Sequence, residues 1–343
     1  MTASKTTALK QAGQGEVADG RRTEPQALLK LNDLVKRFTV RRGPFARTRS
    51  LSAVNHISLE VMPGETFALV GESGCGKTTV GRMVAGLESP TGGEIHYRGV
   101  RMDRGGRESG DLRREIQMIF QDPYASLNPR LKVWESVAEP LIGFSLVPRC
   151  QTREKVAELF SLVGLRADQL DRFPHELSGG QRQRVGIARA LAAEPRLIVA
   201  DEPVSALDVS IQAQILNLMR EIHGRLQIAY LFISHDLGVV AYISTRVAVM
   251  YLGEIVETGA TRDVLSNPRH PYTRELLASV PRRAGGAGSR QPPLEGDLPS
   301  PLDPPTGCRF HPRCRECMPV CAQRAPEPET MPDGSVVRCH LYK

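Results

Sequence analysis

Tryptophan occurs once in the 343 residues, and aromatic side chains make up 5% of the chain. With so few rings, and none interleaved with the basic clusters, nothing marks a base-stacking surface for nucleic acid. Long hydrophobic runs are also missing. None approaches the roughly 20 apolar residues that a membrane-spanning helix needs. The most apolar region, 228–252, is broken by His235, Asp236 and Arg246. The first residues lack the apolar stretch of a signal peptide, and no internal repeat is visible. A cytosolic chain that docks on a membrane complex is therefore expected, with no nucleic-acid partner.

What is present is ordinary for a globular protein: 41% hydrophobic and 24% charged residues. The length suits two domains, or one large domain with an appendage. The net charge is +7, with basic residues gathered at Lys36, Arg37, Arg41, Arg42, Arg47 and Arg49. We read these as a solvated basic face rather than a binding patch. Residues 1–26 are polar and read as disordered. Alternating and apolar strands begin at 27, and residues 123–190 turn helical before strands return at 196–201 and 229–234. That pattern is α/β with an inserted helical subdomain. The α/β domain is taken as 27–265 and the C-terminal extension as 266–343. The extension comprises a Pro/Gly/Arg-rich linker, 281–305, and a cysteine-rich tail, 306–343.

The chain is organised around Gly71-Glu72-Ser73-Gly74-Cys75-Gly76-Lys77-Thr78-Thr79, which fits G-x-x-x-x-G-K-[ST]. An apolar strand, 66–70, precedes it, and a helical stretch, 79–87, follows. Glycines at 71, 74 and 76 let consecutive backbone N–H groups converge, and the start of the helix adds positive potential, so the loop forms an anion hole. Lys77 places a charge on β- and γ-phosphates, and the Thr78 hydroxyl can ligate Mg²⁺.

Further elements follow in order. The strand 197–201 ends in Asp201, placed to hold Mg²⁺ through water, and Glu202, placed as general base for an attacking water. Gln121 ends another strand. His235 follows the strand 229–234, within reach of a γ-phosphate. Leu177-Ser178-Gly179-Gly180-Gln181 opens a helix and offers a second anion-binding end. One nucleotide does not need two such ends, so the second is expected to serve a nucleotide held by a partner chain. Ser205-Ala206-Leu207-Asp208 forms a short turn after the acid pair. Each feature alone has a bland reading as a turn, cap or structural histidine; their order and spacing together do not.

The set GESGCGKT, Gln121, LSGGQ, LIVADE, SALD and His235 closely resembles the ATP-binding subunit of ABC transporters, over about residues 28–265. The resemblance implies a P-loop fold with an antiparallel β arm and a head-to-tail dimer. Each ATP would lie between one loop (71–79) and the partner's Ser178–Gln181 corner. It also implies adenine stacking on Phe38, Mg²⁺ held by Thr78, Gln121 and Asp201, and a nucleotide-site role for Asp208. A narrower resemblance, to the dipeptide/oligopeptide/nickel importer branch, is carried by residues 121–130, 270–273, 294–301 and 307–314. It implies a second, different ATPase subunit, two membrane permeases, an external binding protein, and a peripheral place on the cytoplasmic face of the inner membrane.

Seven cysteines are present, and five lie between Cys308 and Cys339. In a cytosolic chain such clustering suggests a metal site before a disulfide framework. Four thiolates suit tetrahedral Zn²⁺ or an iron–sulfur cluster. The resemblance points to Cys308, Cys314, Cys321 and Cys339 around a [4Fe–4S] cluster, with Cys317 departing from the pattern. Two readings compete with ATP-driven import. One is a soluble ABC-type ATPase acting on nucleic acid or ribosomes; the other is a P-loop kinase, which leaves LSGGQ unexplained.

Overall fold

A computed structural model describes residues 26–41, 49–102, 109–279 and 299–343. The disordered segment expected up to residue 26 lies outside them except for Gln26. So do most of the basic loop 41–50 and residues 281–298 of the expected linker.

The chain begins with β1 (Leu29–Val40) and β2 (Arg49–Val61), an antiparallel pair that buries Leu29, Leu31, Leu34, Val54 and Ile57. A turn at 63–64 leads into β3 (Thr66–Val70), every residue of which is buried. Helix α1 (Lys77–Val84) follows the phosphate loop. Strands β4 (Gly92–Tyr97) and β5 (Val100–Arg101) complete a four-stranded antiparallel arm in the order β2-β1-β4-β5. Helix α2 (Ser109–Glu115) leads to β6 (Ile116–Ile119). The helical insert carries α3 (Val133–Gly143), α4 (Thr152–Leu162) and α5 (Gly179–Ala192). The α/β pattern then resumes with β7 (Leu197–Asp201), α6 (Val209–Leu226), β8 (Ala229–Ser234), α7 (Leu237–Ile243) and β9 (Arg246–Tyr251). Strand β10 (Glu254–Ala260) and helices α8 (Thr261–Ser266) and α9 (Pro271–Ala278) follow. The tail adds α10 (Pro319–Gln323), β11 (Glu329–Thr330) and β12 (Val336–Val337).

The main sheet has the order β11-β12-β10-β9-β3-β8-β7-β6, and β9, β3, β8, β7 and β6 run parallel. Both faces of these parallel strands are covered, so they read as continuous apolar runs. Alternation still sorts their side chains. Ile198 and Ala200 face the core shared with the helical insert, which includes Val137, Phe160 and Val185. Leu197 and Val199 face the core shared with α1 and the arm. The insert is thus packed onto one face of the sheet.

A core ending near Leu265 is not what the structure shows. Strand β12 pairs antiparallel with β10 through Glu257–Val337 and Thr258–Val336, and β11 pairs with β12. The tail therefore extends the main sheet and covers an edge that β10 would otherwise leave unpaired. Phe310 is buried in the same cluster as Tyr251 and Tyr272, with ring centroids 5.2 and 5.4 Å away.

His270 caps α9: its Nδ1 accepts the Tyr272 N–H at 3.1 Å. Burial, and secondarily the charge of Arg274, push this imidazole down to about 3. Its unfolded value is about 6.5. The unfolded chain therefore gains a proton first, and stability present above about pH 6.5 is lost as pH falls toward 3. Urea unfolding between about pH 7 and 5 checks this. The loss from His270 is expected to approach about 1.4 kcal/mol per pH unit, and His270→Asn, which keeps a cap acceptor, is expected to remove that share of the slope.

Candidate nucleotide site

Four neighbouring parallel strands deliver the site residues at their C-terminal ends. Gly71 follows β3, His235 follows β8, Asp201 ends β7 with Glu202 next, and Gln121 lies just past β6. Open parallel sheets bind ligands at this edge. Backbone geometry explains the glycines of the loop. Gly76 sits at φ +108°, and a Cβ there would lie 2.1 Å from the Ala53 carbonyl oxygen. At Gly71 a Cβ would approach the Met250 carbonyl oxygen to 2.1 Å.

Lys77 is buried, and its Nζ donates to the carbonyls of Gly71 at 2.8 Å and Glu72 at 2.9 Å. The ammonium is held inside the curl of the loop. Cys75 is buried beneath it, and burial raises its thiol pKa. Thr78 Oγ1 donates to Asp201 Oδ1 at 3.0 Å. Burial raises the Asp201 carboxyl above its ordinary range, against the lowering effect of the Thr78 bond. This hydroxyl and carboxylate have the donor chemistry for Mg²⁺, with the Gln121 amide nearby.

Glu202 sits in the left-handed region at φ +46°, and its N–H donates to the Ile233 carbonyl at 3.0 Å. Gln121 Nε2 donates to Glu202 Oε2 at 3.0 Å, and His235 Nδ1 lies 3.1 Å from the same oxygen. The three groups thus meet on one carboxylate oxygen. Several clefts open here, and two of them are lined by glycines of the loop. One, of about 280 Å³, is lined by Phe38 together with Ser73, Gly74, Lys77, Thr78 and Thr79 among others. The other, of about 590 Å³, lies between Glu72, Glu202, Ser205 and His235.

Ser178, Gly179, Gly180 and Gln181 line neither cleft. They form a capping box at the start of α5: Gln181 N–H donates to Ser178 Oγ at 3.3 Å, and Ser178 N–H to Gln181 Oε1 at 3.0 Å. Asp208 is exposed at the start of α6 and also lines neither cleft. Two contacts of the phosphate loop escaped the sequence. Tyr272 OH accepts the Glu72 N–H at 2.9 Å, and Arg313 grips the Glu72 carboxylate with both terminal nitrogens. Both residues lie in stretches that mark the importer branch, the only signal that could have drawn attention to them.

Residues 54–205 match the ABC transporter family model, and residues 256–321 match the oligopeptide/dipeptide transporter C-terminal region. The dipeptide transport ATP-binding protein DppF of Haemophilus influenzae is 46% identical over 92% of this chain and 97% of its own length. The oligopeptide transport ATP-binding protein AppF of Bacillus subtilis is 47% identical over 92% of this chain and 98% of its own. The chain belongs to the ABC transporter ATP-binding family. This ATPase subunit also resembles the dimeric ATP-binding cassette MJ0796 bound to ADP and phosphate. That match has a TM-score of 0.61 and 29% identity, over 68% of this chain and 99% of that one. ATP hydrolysis is the subunit's activity, and the nucleic-acid and ribosome reading is not favoured. Among the described residues, no helix is long and apolar enough to cross a membrane.

In the tail of the subunit, Cys321 and Cys339 are buried and Cys308 and Cys314 partly so, all as free thiols. Burial, then neighbouring thiols, push Cys308 up to about 11 and Cys314 up to about 12. The thiols of Cys308, Cys321 and Cys339 act on one another electrostatically, as do those of Cys314, Cys308 and Cys339. Among the described residues, no three His, Cys, Asp or Glu side chains are gathered to hold a metal ion. The donors are soft thiols, suited to iron–sulfur chemistry.

Proposed function

We infer that this subunit energises an importer of dipeptides or oligopeptides, working peripherally at the cytoplasmic face of the membrane. The carrying observation is a hydrolytic corner joined to an oligopeptide-type tail on one sheet. The names of its relatives support the peptide cargo. In this reading Lys77 and the loop amides hold the β- and γ-phosphates. Glu202 takes the proton of the attacking water, oriented by Gln121, while His235 steadies the γ-phosphate. Thr78, Asp201 and Gln121 would hold Mg²⁺, which supplies charge neutralisation on the phosphates.

The Ser178–Gln181 corner lines neither cleft at its own loop, which supports a head-to-tail dimer in which each corner completes the partner's site. The partner ATPase is taken to be a different chain, with two permeases above the pair and an external binding protein feeding them. Closure moves the helical insert (about 123–190), and the region 121–140 docks on the permeases. A deletion strain is expected to lose uptake of labelled di- or oligopeptides and regain it with the intact gene. Unchanged peptide uptake with lost nickel uptake would overturn the cargo.

Cys308, Cys314, Cys321 and Cys339 are assigned to a [4Fe–4S] cluster, which would supply folding energy to a tail short of apolar residues. Anaerobically purified protein is expected to carry iron and acid-labile sulfide. Zinc in their place, or no metal, would overturn the assignment.

A further inference from the structure

We propose that Arg313 is a charge-balancing positioning residue of the ATP site: it neutralises Glu72 so that the phosphate loop can receive a triphosphate. This inference rests on the ATP-site reading above.

Glu72 is an awkward residue where it stands. It follows Gly71 in the phosphate loop and shares a cleft with Glu202 and His235. Its backbone is already used, the carbonyl by Lys77 and the N–H by Tyr272. A free carboxylate here would add a third negative charge beside Asp201 and Glu202, facing a ligand that is itself strongly anionic. Lys77 cannot offset all of them and still serve the phosphates. Arg313 supplies the missing cation. Its Nη1 donates to Glu72 Oε2 at 2.8 Å, and its Nη2 to Oε1 at 3.0 Å. Among the described residues, Arg313 is the ion-pair partner of Glu72. The Arg313 side chain is 6% exposed and that of Glu72 23%, so solvent screens the pair far less than a surface pair.

A core aromatic ring and the packing of the tail hold the guanidinium in place. Tyr251 lies under it, with 5.8 Å from the guanidinium carbon to the ring centroid. Phe310, three residues earlier, is locked in the aromatic cluster. Arg309 pairs with Glu254 at 2.8 Å and donates to the Leu252 carbonyl. The neighbouring Gly253 N–H donates to Cys75 O at 2.9 Å, which ties this turn back to the phosphate loop. The charge therefore sits at one fixed point next to the cradle.

The test is MgATP binding by the full-length protein, measured by titration calorimetry. Arg313→Ala is expected to weaken binding about tenfold, the scale of one like-charge repulsion across a partly solvated site. The defect should shrink as salt approaches roughly 1 M, and should be smaller for ADP than for ATP. The deciding variant is the double change Arg313→Ala with Glu72→Gln. It is expected to bind ATP about fivefold more tightly than Arg313→Ala alone, because the unpaired charge is gone. A purely mechanical brace predicts no such rescue. Equal affinities for the double and single variants, or wild-type affinity in Arg313→Ala, would overturn the proposal. Arg313→Met keeps the apolar stem against Tyr251 and replaces the alanine variant if that one does not melt cooperatively. Failure of the wild type itself to bind MgATP would instead sink the site reading on which this rests.

Discussion

Replacing Glu202 with glutamine is expected to lower ATP turnover by about 10²–10⁴-fold, the usual contribution of a general base, while ATP binding persists. The geometry separates the two effects. Glu202 lies outside the phosphate loop, and the loop's grip depends on Lys77 and the backbone. A glutamine is nearly the same shape. Its carbonyl oxygen, standing where Glu202 Oε2 stands, can still accept from Gln121 and lie against His235 Nδ1, so the contacts of 3.0 and 3.1 Å have a counterpart. What is lost is the ability to take a proton. Steady-state phosphate release and nucleotide binding, measured on one preparation with its partner subunits, check this. Turnover near that of the wild type would assign the base elsewhere. In the dimer reading, the variant should also accumulate a closed, ATP-filled pair.

Lys77→Ala should show the opposite pattern: MgATP affinity falls about 100-fold or more, and turnover at moderate ATP is lost with it. Hydrogen bonds to a charged group contribute about 1.5–3 kcal/mol each, and a triphosphate offers several acceptors to one ammonium. Lys77 is 4% exposed, so its charge is little screened by water. Its two bonds to loop carbonyls also shape the curl before nucleotide arrives. The alanine variant leaves those carbonyls to water and lowers thermal stability slightly, which a melting curve without nucleotide isolates. Binding within a few-fold of the wild type would show that the backbone amides alone carry the phosphates.

The two variants bracket the site. Lys77→Ala tests the grip, and Glu202→Gln the chemistry after the grip. A protein in which both changes abolish binding would have a nucleotide site coupled to its catalytic corner more tightly than the separate hydrogen-bond sets suggest.

Much of this corner was legible in the chain. Strands β3 and β8 run as read, 66–70 and 229–234, and β7 covers 197–201 of the stretch read as 196–201. Parallel strands covered on both faces leave continuous Val, Ile, Leu and Phe runs with sharp ends. The residues just past those ends, Gly71, Asp201, Glu202 and His235, are therefore placed by the run itself. The tail was less legible. Strands β11 and β12 have two residues each, too few for any period to register. Their pairing depends on the free edge of β10, which no local pattern reveals.

By itself, the sequence determined the phosphate loop, the acids that follow β7 and the family to which the chain belongs, because each is written in neighbouring residues with fixed spacing. Only the tertiary structure decided that Gln121, Glu202 and His235 share one oxygen. Only it decided that the Ser178 corner lines neither cleft at its own loop, and that Arg313 meets Glu72 across 241 residues. The physical reason is that hydrophobic period and turn chemistry act over a few residues, whereas charge pairing across the sheet edge depends on which strands the core has already brought side by side.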